Sequence, residues 1–208
     1  MKKDCVLYVH GKGGSAQESE RYKPLFPGCD VFGLDYQTDT PWDAGREIRE
    51  AAERLRRTHG SLTLIANSVG AYFAMCAGID AAVRKAYFIS PVVDMERMIR
   101  DMMRLANVTE ERLCAEGMIQ TPFGDPLSWA YLSYVRAHPL RWNAPTRVLY
   151  GENDALISRN AVEAFAKTLG AALTVMPGGE HWFHTPAQMR FLDAWIFTNE
   201  AKENGGSI

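Results

Sequence analysis

Short runs of consecutive apolar residues alternate along this chain with longer stretches in which apolar positions recur every three or four residues. Cys5-Val6-Leu7-Tyr8-Val9, Asp30-Val31-Phe32-Gly33-Leu34, Ser61-Leu62-Thr63-Leu64-Ile65, Lys85-Ala86-Tyr87-Phe88-Ile89, Thr146-Arg147-Val148-Leu149-Tyr150 and Ala172-Leu173-Thr174-Val175 read as strands. Most are near-continuous apolar runs, which is what a strand covered on both faces requires. From Trp42 to Thr58, Ile48, Ala51, Ala52 and Leu55 fall on one helical face, while Glu50 with Arg54 and Glu53 with Arg57 form i,i+4 pairs on another. Ala71–Ala77, Ala161–Leu169 and Met189–Phe197 predict further helices. Strands alternating with helices predict an α/β fold, with a mostly parallel sheet of about six strands and helices on both faces.

The alternation breaks between residues 93 and 140. Met95, Met98, Ile99 and Met102 share a helical face there, and Asp125-Pro126 reads as the cap and first turn of a helix through Leu127, Tyr131 and Tyr134. The expectation is a helical cap over 93–140, inserted into a core spanning 1–92 and 141–198, with a flexible tail over 199–208. At 208 residues and 47% hydrophobic, the chain is long enough to bury a full core. Its net charge of −2 gives no basic field for nucleic acid or an anionic membrane, and no stretch approaches membrane-spanning length. The apolar run after Met1-Lys2-Lys3 is too short for a signal-peptide core and is needed as a strand. Cys5, Cys29, Cys76 and Cys114 are widely spaced, without paired metal-ligand spacing, and the histidines lack H-E-x-x-H spacing. A reduced, cytoplasmic protein without a metal is expected.

Ala66-Asn67-Ser68-Val69-Gly70 lies where a buried strand turns abruptly into a helix. Small residues two before and two after Ser68 let strand and helix pass closely, so that the hydroxyl stands exposed at the end of a sheet. Ser68 is then either a nucleophile or simply the helix N-cap. A neutral hydroxyl needs a base to take its proton and a third group to orient that base. His181, on Gly178-Gly179-Glu180-His181 after one strand, and Asp154, on Gly151-Glu152-Asn153-Asp154 after another, supply both. His184 is an alternative base and Asp94 an alternative acid. His10-Gly11-Lys12-Gly13-Gly14-Ser15 follows the first strand, where glycines let main-chain N–H groups face a developing negative charge. The amides of Lys12 and of Val69 are the candidates. The loop has neither G-x-x-x-x-G-K-[ST] nor G-x-G-x-x-G spacing, which argues against a phosphate cradle.

With H-G-K-G-G as its oxyanion loop, A-N-S-V-G as its nucleophile elbow, G-E-N-D as its acid loop and G-G-E-H-W-F as its histidine loop, the chain resembles a small member of the α/β-hydrolase superfamily. The resemblance covers roughly residues 5–92 and 141–198, and departs from the usual pattern in having Ala66 where a glycine is common. Two strands that often precede the oxyanion strand have no room before Cys5, so a trimmed sheet is expected. The resemblance implies Ser68 as nucleophile, His181 as general base and then acid, Asp154 as its orienting partner, and an oxyanion hole from Lys12 and Val69. It implies a cofactor-independent serine hydrolase acting on a small-molecule carboxylic ester or thioester. A ligand-binding protein that keeps the fold without turnover is the alternative. Met98, Trp129 and Trp182 are expected either to line an apolar acyl-binding surface or to serve ordinary packing.

Overall fold

The computed structural model describes residues 2–204. The chain divides into two compact units, one formed by the chain up to Val93 and from Trp142 onward, the other by Asp94–Arg141. In chain order the first unit begins with β1 (Asp4–Val9), a 3₁₀ segment (Ala16–Leu25), β2 (Cys29–Leu34), α1 (Pro41–Thr58), β3 (Leu62–Asn67), α2 (Val69–Cys76) and β4 (Lys85–Ile89). The second unit holds α3 (Met95–Leu105), α4 (Glu110–Glu116), the two-residue strands β5 (Met118–Ile119) and β6 (Leu127–Ser128), and α5 (Trp129–Ala137). The chain then completes the first unit with β7 (Thr146–Gly151), α6 (Arg159–Leu169), β8 (Ala172–Met176) and α7 (Pro186–Asn204).

Six strands pair in the order β2-β1-β3-β4-β7-β8, every neighbouring pair parallel. Every residue of β4 is buried although successive side chains point to opposite faces, so both faces of the sheet are covered. Val6, Tyr8, Ile65, Tyr87, Ile89 and Leu149 cluster on one face with Tyr22 and Phe26 of the amino-terminal segment and with Leu192, Trp195 and Ile196 of α7. The alternate residues Leu7, Leu64, Phe88 and Val148 are buried on the other. α1 starts at Pro41 behind Thr40, whose hydroxyl accepts from the Asp43 N–H, and buries the stripe Ala44, Ile48, Ala51, Ala52 and Leu55. Since β1 leads to β2 on one side while β3 pairs on the other, the loops leaving β1 and β3 diverge at the carboxyl edge of the sheet. Such a divergence opens a crevice suited to a ligand.

α7 runs from Pro186 to Asn204, so the tail expected over 199–208 is helical as far as 204, and 205–208 lie outside the described residues. Specific contacts explain the added helix. Glu200 pairs with the buried ammonium of Lys85 at 2.5 Å and accepts from the Tyr87 hydroxyl, and the Asn199 amide donates to the Trp195 carbonyl at 2.8 Å. Among the described residues no helix is long and apolar enough to cross a membrane.

In the second unit α3 is capped by Asp94, whose carboxylate accepts from the Arg97 N–H at 3.0 Å, and it buries Met95, Ile99 and Met103. Arg136 of α5 joins Glu96 of α3 at 2.9 Å and Glu110 of α4 at 2.6 Å. The guanidinium holds the Glu110 carboxyl below its ordinary range. The helix expected to start at Asp125-Pro126 starts instead at Trp129. Leu127 and Ser128 pair antiparallel with Ile119 and Met118, and the Ser128 hydroxyl accepts from the Tyr131 N–H as the true cap.

Candidate active site

Ser68 occupies the corner between β3 and α2 with φ 53° and ψ −121°, a left-handed backbone that a non-glycine residue adopts only under strain. Hydrogen bonds hold it there: its N–H donates to the Ile89 carbonyl at 2.9 Å, and its own carbonyl accepts from Val92 at 3.1 Å. The side chain makes no helix-capping bond, which removes the N-cap explanation for the serine. The two small flanking residues have unequal roles. A Cβ on Gly70 would lie 2.3 Å from the His10 carbonyl oxygen and 2.8 Å from that of Val9, so the first turn of α2 passes β1 only because residue 70 has no side chain. Ala66 is fully buried within β3 and keeps its methyl group, so glycine is dispensable there.

His181 and Asp154 come from the loops after β8 and β7, which the backbone stitches together. Glu152 N–H donates to Met176 at 3.0 Å, Asn153 N–H to Gly179 at 2.7 Å, and the Glu152 carboxylate accepts from the Gly178 N–H at 2.9 Å. A Cβ on Gly151 would meet the carbonyl oxygens of Glu180 and Gly179 at 2.5 and 2.6 Å, so this close approach is available to glycine alone. His181 Nδ1 lies 2.7 Å from Asp154 Oδ2, and its Nε2 lies 2.8 Å from Ser68 Oγ. The other carboxylate oxygen, Oδ1, accepts from the N–H groups of Leu156 and Ile157, both at 2.9 Å. The Asp154 side chain is fully excluded from solvent. An ionised carboxylate has no proton to give, so Nδ1 is the donor to Asp154 and Nε2 is left as the acceptor for the Ser68 hydroxyl.

The structure thus brings Ser68, His181 and Asp154 into one hydrogen-bonded chain, and leaves the alternatives elsewhere. His184 Nδ1 donates to the Trp182 carbonyl at 2.6 Å and its side chain is exposed, while Asp94 caps α3 in the second unit. His10 donates from Nδ1 to the Gly11 carbonyl at 2.8 Å and stacks on Tyr36 at 4.2 Å, bracing its own loop. Lys12 follows β1 on that loop. Val69 is the first residue of α2, a position whose amide has no acceptor within its own helix.

A cavity of about 610 Å³ opens at Ser68. Gly11, Lys12, Asn67, Trp182 and Phe183 line it, and the Trp182 ring stands edge-on to His181 at 5.4 Å. Met98 and Trp129 belong to the second unit, whereas this lining comes from the first. The sequence reading passed over four lining residues on the 3₁₀ segment: Gln17, Glu18, Arg21 and Tyr22. Their signal was present in Ser15-x-x-Glu18, a capping-box spacing, and the Glu18 carboxylate does accept from the Ser15 N–H at 3.1 Å. It also accepts from the Tyr8 hydroxyl. Burial, with the neighbouring carboxylate adding to it, pushes the Tyr8 phenol well above its ordinary value, so it keeps the proton that it donates to Glu18.

Three solved structures illustrate the likeness of the whole chain. Est1E from Butyrivibrio proteoclasticus superposes with a TM-score of 0.79 at 13% identity, covering 98% of this chain and 89% of that one. Mouse alpha/beta hydrolase domain-containing protein 10 gives 0.74 at 14% identity, with 95% and 90% covered. An esterase from Pyrococcus furiosus gives 0.64 at 17% identity, with 96% and 81% covered. No protein-family model and no curated protein sequence matches the chain. Similarity at these identities is similarity of fold, and the chain has the α/β-hydrolase fold.

Proposed function

We propose that the protein is a serine hydrolase that cleaves a small carboxylic ester or thioester through an acyl-enzyme. The observation that carries this reading is the unbroken hydrogen-bond chain from Ser68 Oγ through His181 to the solvent-excluded Asp154, opening on a cavity. His181 Nε2 takes the hydroxyl proton as Ser68 Oγ attacks the acyl carbon. The amides of Lys12 and Val69 hold the oxygen that becomes negative. His181, positively charged at that stage and stabilised by Asp154, gives its proton to the leaving oxygen or sulfur. It then activates the water that releases the acid and restores the serine. The strained corner at Ser68 supports the assignment, because strain of this kind costs about 1–3 kcal/mol and persists where the surrounding structure enforces it. The hydrolase and esterase structures that share the fold are consistent with it. Four free cysteines agree with a reducing compartment such as the cytoplasm.

Labelling with a fluorophosphonate followed by peptide mapping tests the proposal. Modification of Ser68, and loss of both labelling and 4-nitrophenyl acetate hydrolysis in a folded Ser68→Ala protein, is the expected result. An unlabelled Ser68 in protein that binds acyl ligands would instead identify a binding protein without turnover.

A further inference from the structure

We propose that Arg21 makes this site selective for acyl groups ending in a carboxylate, so that the substrates are half-esters of aliphatic dicarboxylic acids; this rests on the hydrolase reading above. Arg21 lies on the 3₁₀ segment and lines the cavity that contains Ser68. A guanidinium offers five N–H donors. Here Nη2 donates to Asp193 Oδ1 at 2.6 Å and to the Met189 carbonyl at 3.3 Å. Nη1 meets only the Met189 thioether, a weak acceptor, and Nε is buried with no partner among the described residues. The side chain is 21% exposed, so water does little to replace the missing acceptors. A cation that is mostly desolvated and under-accepted on one side calls for an explanation.

The side that is satisfied is also the side that anchors it. Asp193, the Met189 carbonyl and the Tyr22 ring, with the guanidinium carbon 5.6 Å from the ring centre, fix the group before any ligand arrives, so little ordering remains to be done on binding. The Met189 side chain is the movable part. It lines the cavity, and its unbranched thioether can rotate away to let an oxygen approach the guanidinium. Charges of both signs lie here, and the guanidinium keeps a donor with no partner among the described residues. Asp193 is 42% exposed and shared with water, Lys12 adds a second cation to the lining, and both carboxylate oxygens of Glu18 are already occupied by Tyr8 and Ser15. Tyr22, Phe183 and Leu192 in the same lining suit a methylene chain between the two carboxyl groups. Hydrolysis of such a half-ester consumes one water: its hydroxyl ends on the new carboxyl group and its remaining proton leaves with the alcohol.

The test compares kcat/KM for 4-nitrophenyl half-esters of succinic, glutaric and adipic acids with that for 4-nitrophenyl esters of chain-matched monoacids. A charge-assisted bond predicts a preference of about tenfold or more for at least one half-ester in the wild type. That ratio should disappear in Arg21→Gln and survive in part in Arg21→Lys; because it is a ratio, a general loss of active protein cancels. Asp193→Asn, which leaves Arg21 in place but removes its counter-charge, should raise the preference, so the idea stays testable if Arg21→Gln does not fold. Equal ratios in wild type and Arg21→Gln, or an unaltered or lower ratio in Asp193→Asn, overturn the proposal. Calorimetric titration of Ser68→Ala protein with glutarate separates this from the hydrolase reading. If Ser68 is not labelled and no ester is cleaved, glutarate binding that Arg21→Gln abolishes still supports the anion site, whereas no binding, or binding unaffected by Arg21→Gln, removes it.

Discussion

Asp154→Asn is isosteric, yet the surroundings of the carboxylate dictate a large effect. Oδ1 accepts from two main-chain amides, Leu156 and Ile157, while Oδ2 faces His181 Nδ1. An asparagine has one oxygen and one NH₂, and only its oxygen can satisfy the two amides. The NH₂ must then face His181, turning Nδ1 into an acceptor and placing the ring proton on Nε2. In that tautomer Nε2 donates toward Ser68 Oγ and can no longer take its proton, and no negative charge remains to stabilise the imidazolium. The corresponding exchange in a serine protease lowers kcat by about 10⁴, equivalent to about 5 kcal/mol of transition-state stabilisation. Because the amide bonds survive, stability should change by less than about 1 kcal/mol, whereas Asp154→Ala should lose about 1–2 kcal/mol as those amides lose their acceptor. The assay is the acylation burst with 4-nitrophenyl acetate beside urea melts of both variants. An asparagine variant within tenfold of wild type would refute the tautomer argument, as would one whose activity falls only in proportion to lost fold.

Gly70→Ala should destabilise by roughly 2 kcal/mol or more, since the new methyl meets the His10 and Val9 carbonyls on a strand that cannot retreat; a urea midpoint within error of wild type would show that the elbow yields. Glu200→Gln withdraws the carboxylate from Lys85, whose side chain is 7% exposed, and should cost about 3 kcal/mol, with much of it recovered in Lys85→Met/Glu200→Leu. A thermal melt of Glu200→Gln superimposable on wild type would mean that the pair contributes nothing to holding α7. Burial pushes the Cys5 and Cys76 thiols up to about 11, so at pH 8 iodoacetamide should modify the exposed Cys114 well before either. Mass mapping that finds Cys5 or Cys76 labelled at a similar rate in native protein would contradict the burial that raises their thiols.

What was legible in the sequence is what local physics determines. The central strands are apolar runs because both of their faces are covered, and Ser68, Asp154 and His181 were identifiable because each follows such a run beside small residues that permit a tight turn. The strict requirement at Gly70 and the tolerance at Ala66 look alike in the sequence, because the difference lies in the His10 carbonyl, sixty residues earlier along the chain. The segment at Ala16–Leu25 escaped notice for a related reason: only Ser19 and Tyr22 are buried, and Pro24 interrupts any helical pattern. The start of α5 was misplaced because Asp125-Pro126 satisfies every local rule for a cap, while strand pairing between Leu127 and Ile119 overrides it. The same distinction separates the expected pocket from the observed one. Methionine and aromatic residues of the 93–140 segment, with Trp182, suggested either an apolar acyl surface or ordinary packing, and Trp182 does line the cavity. Arg21 in that lining, however, is held by Asp193, 172 positions away, and no window of sequence short enough to show a periodicity contains both. The hydrogen-bonded trio proposed as catalytic was therefore readable in motifs, because each member depends on its own strand end. The proposed selectivity rests on a contact between distant segments, and so became visible only when the first turns of the chain and α7 were placed side by side.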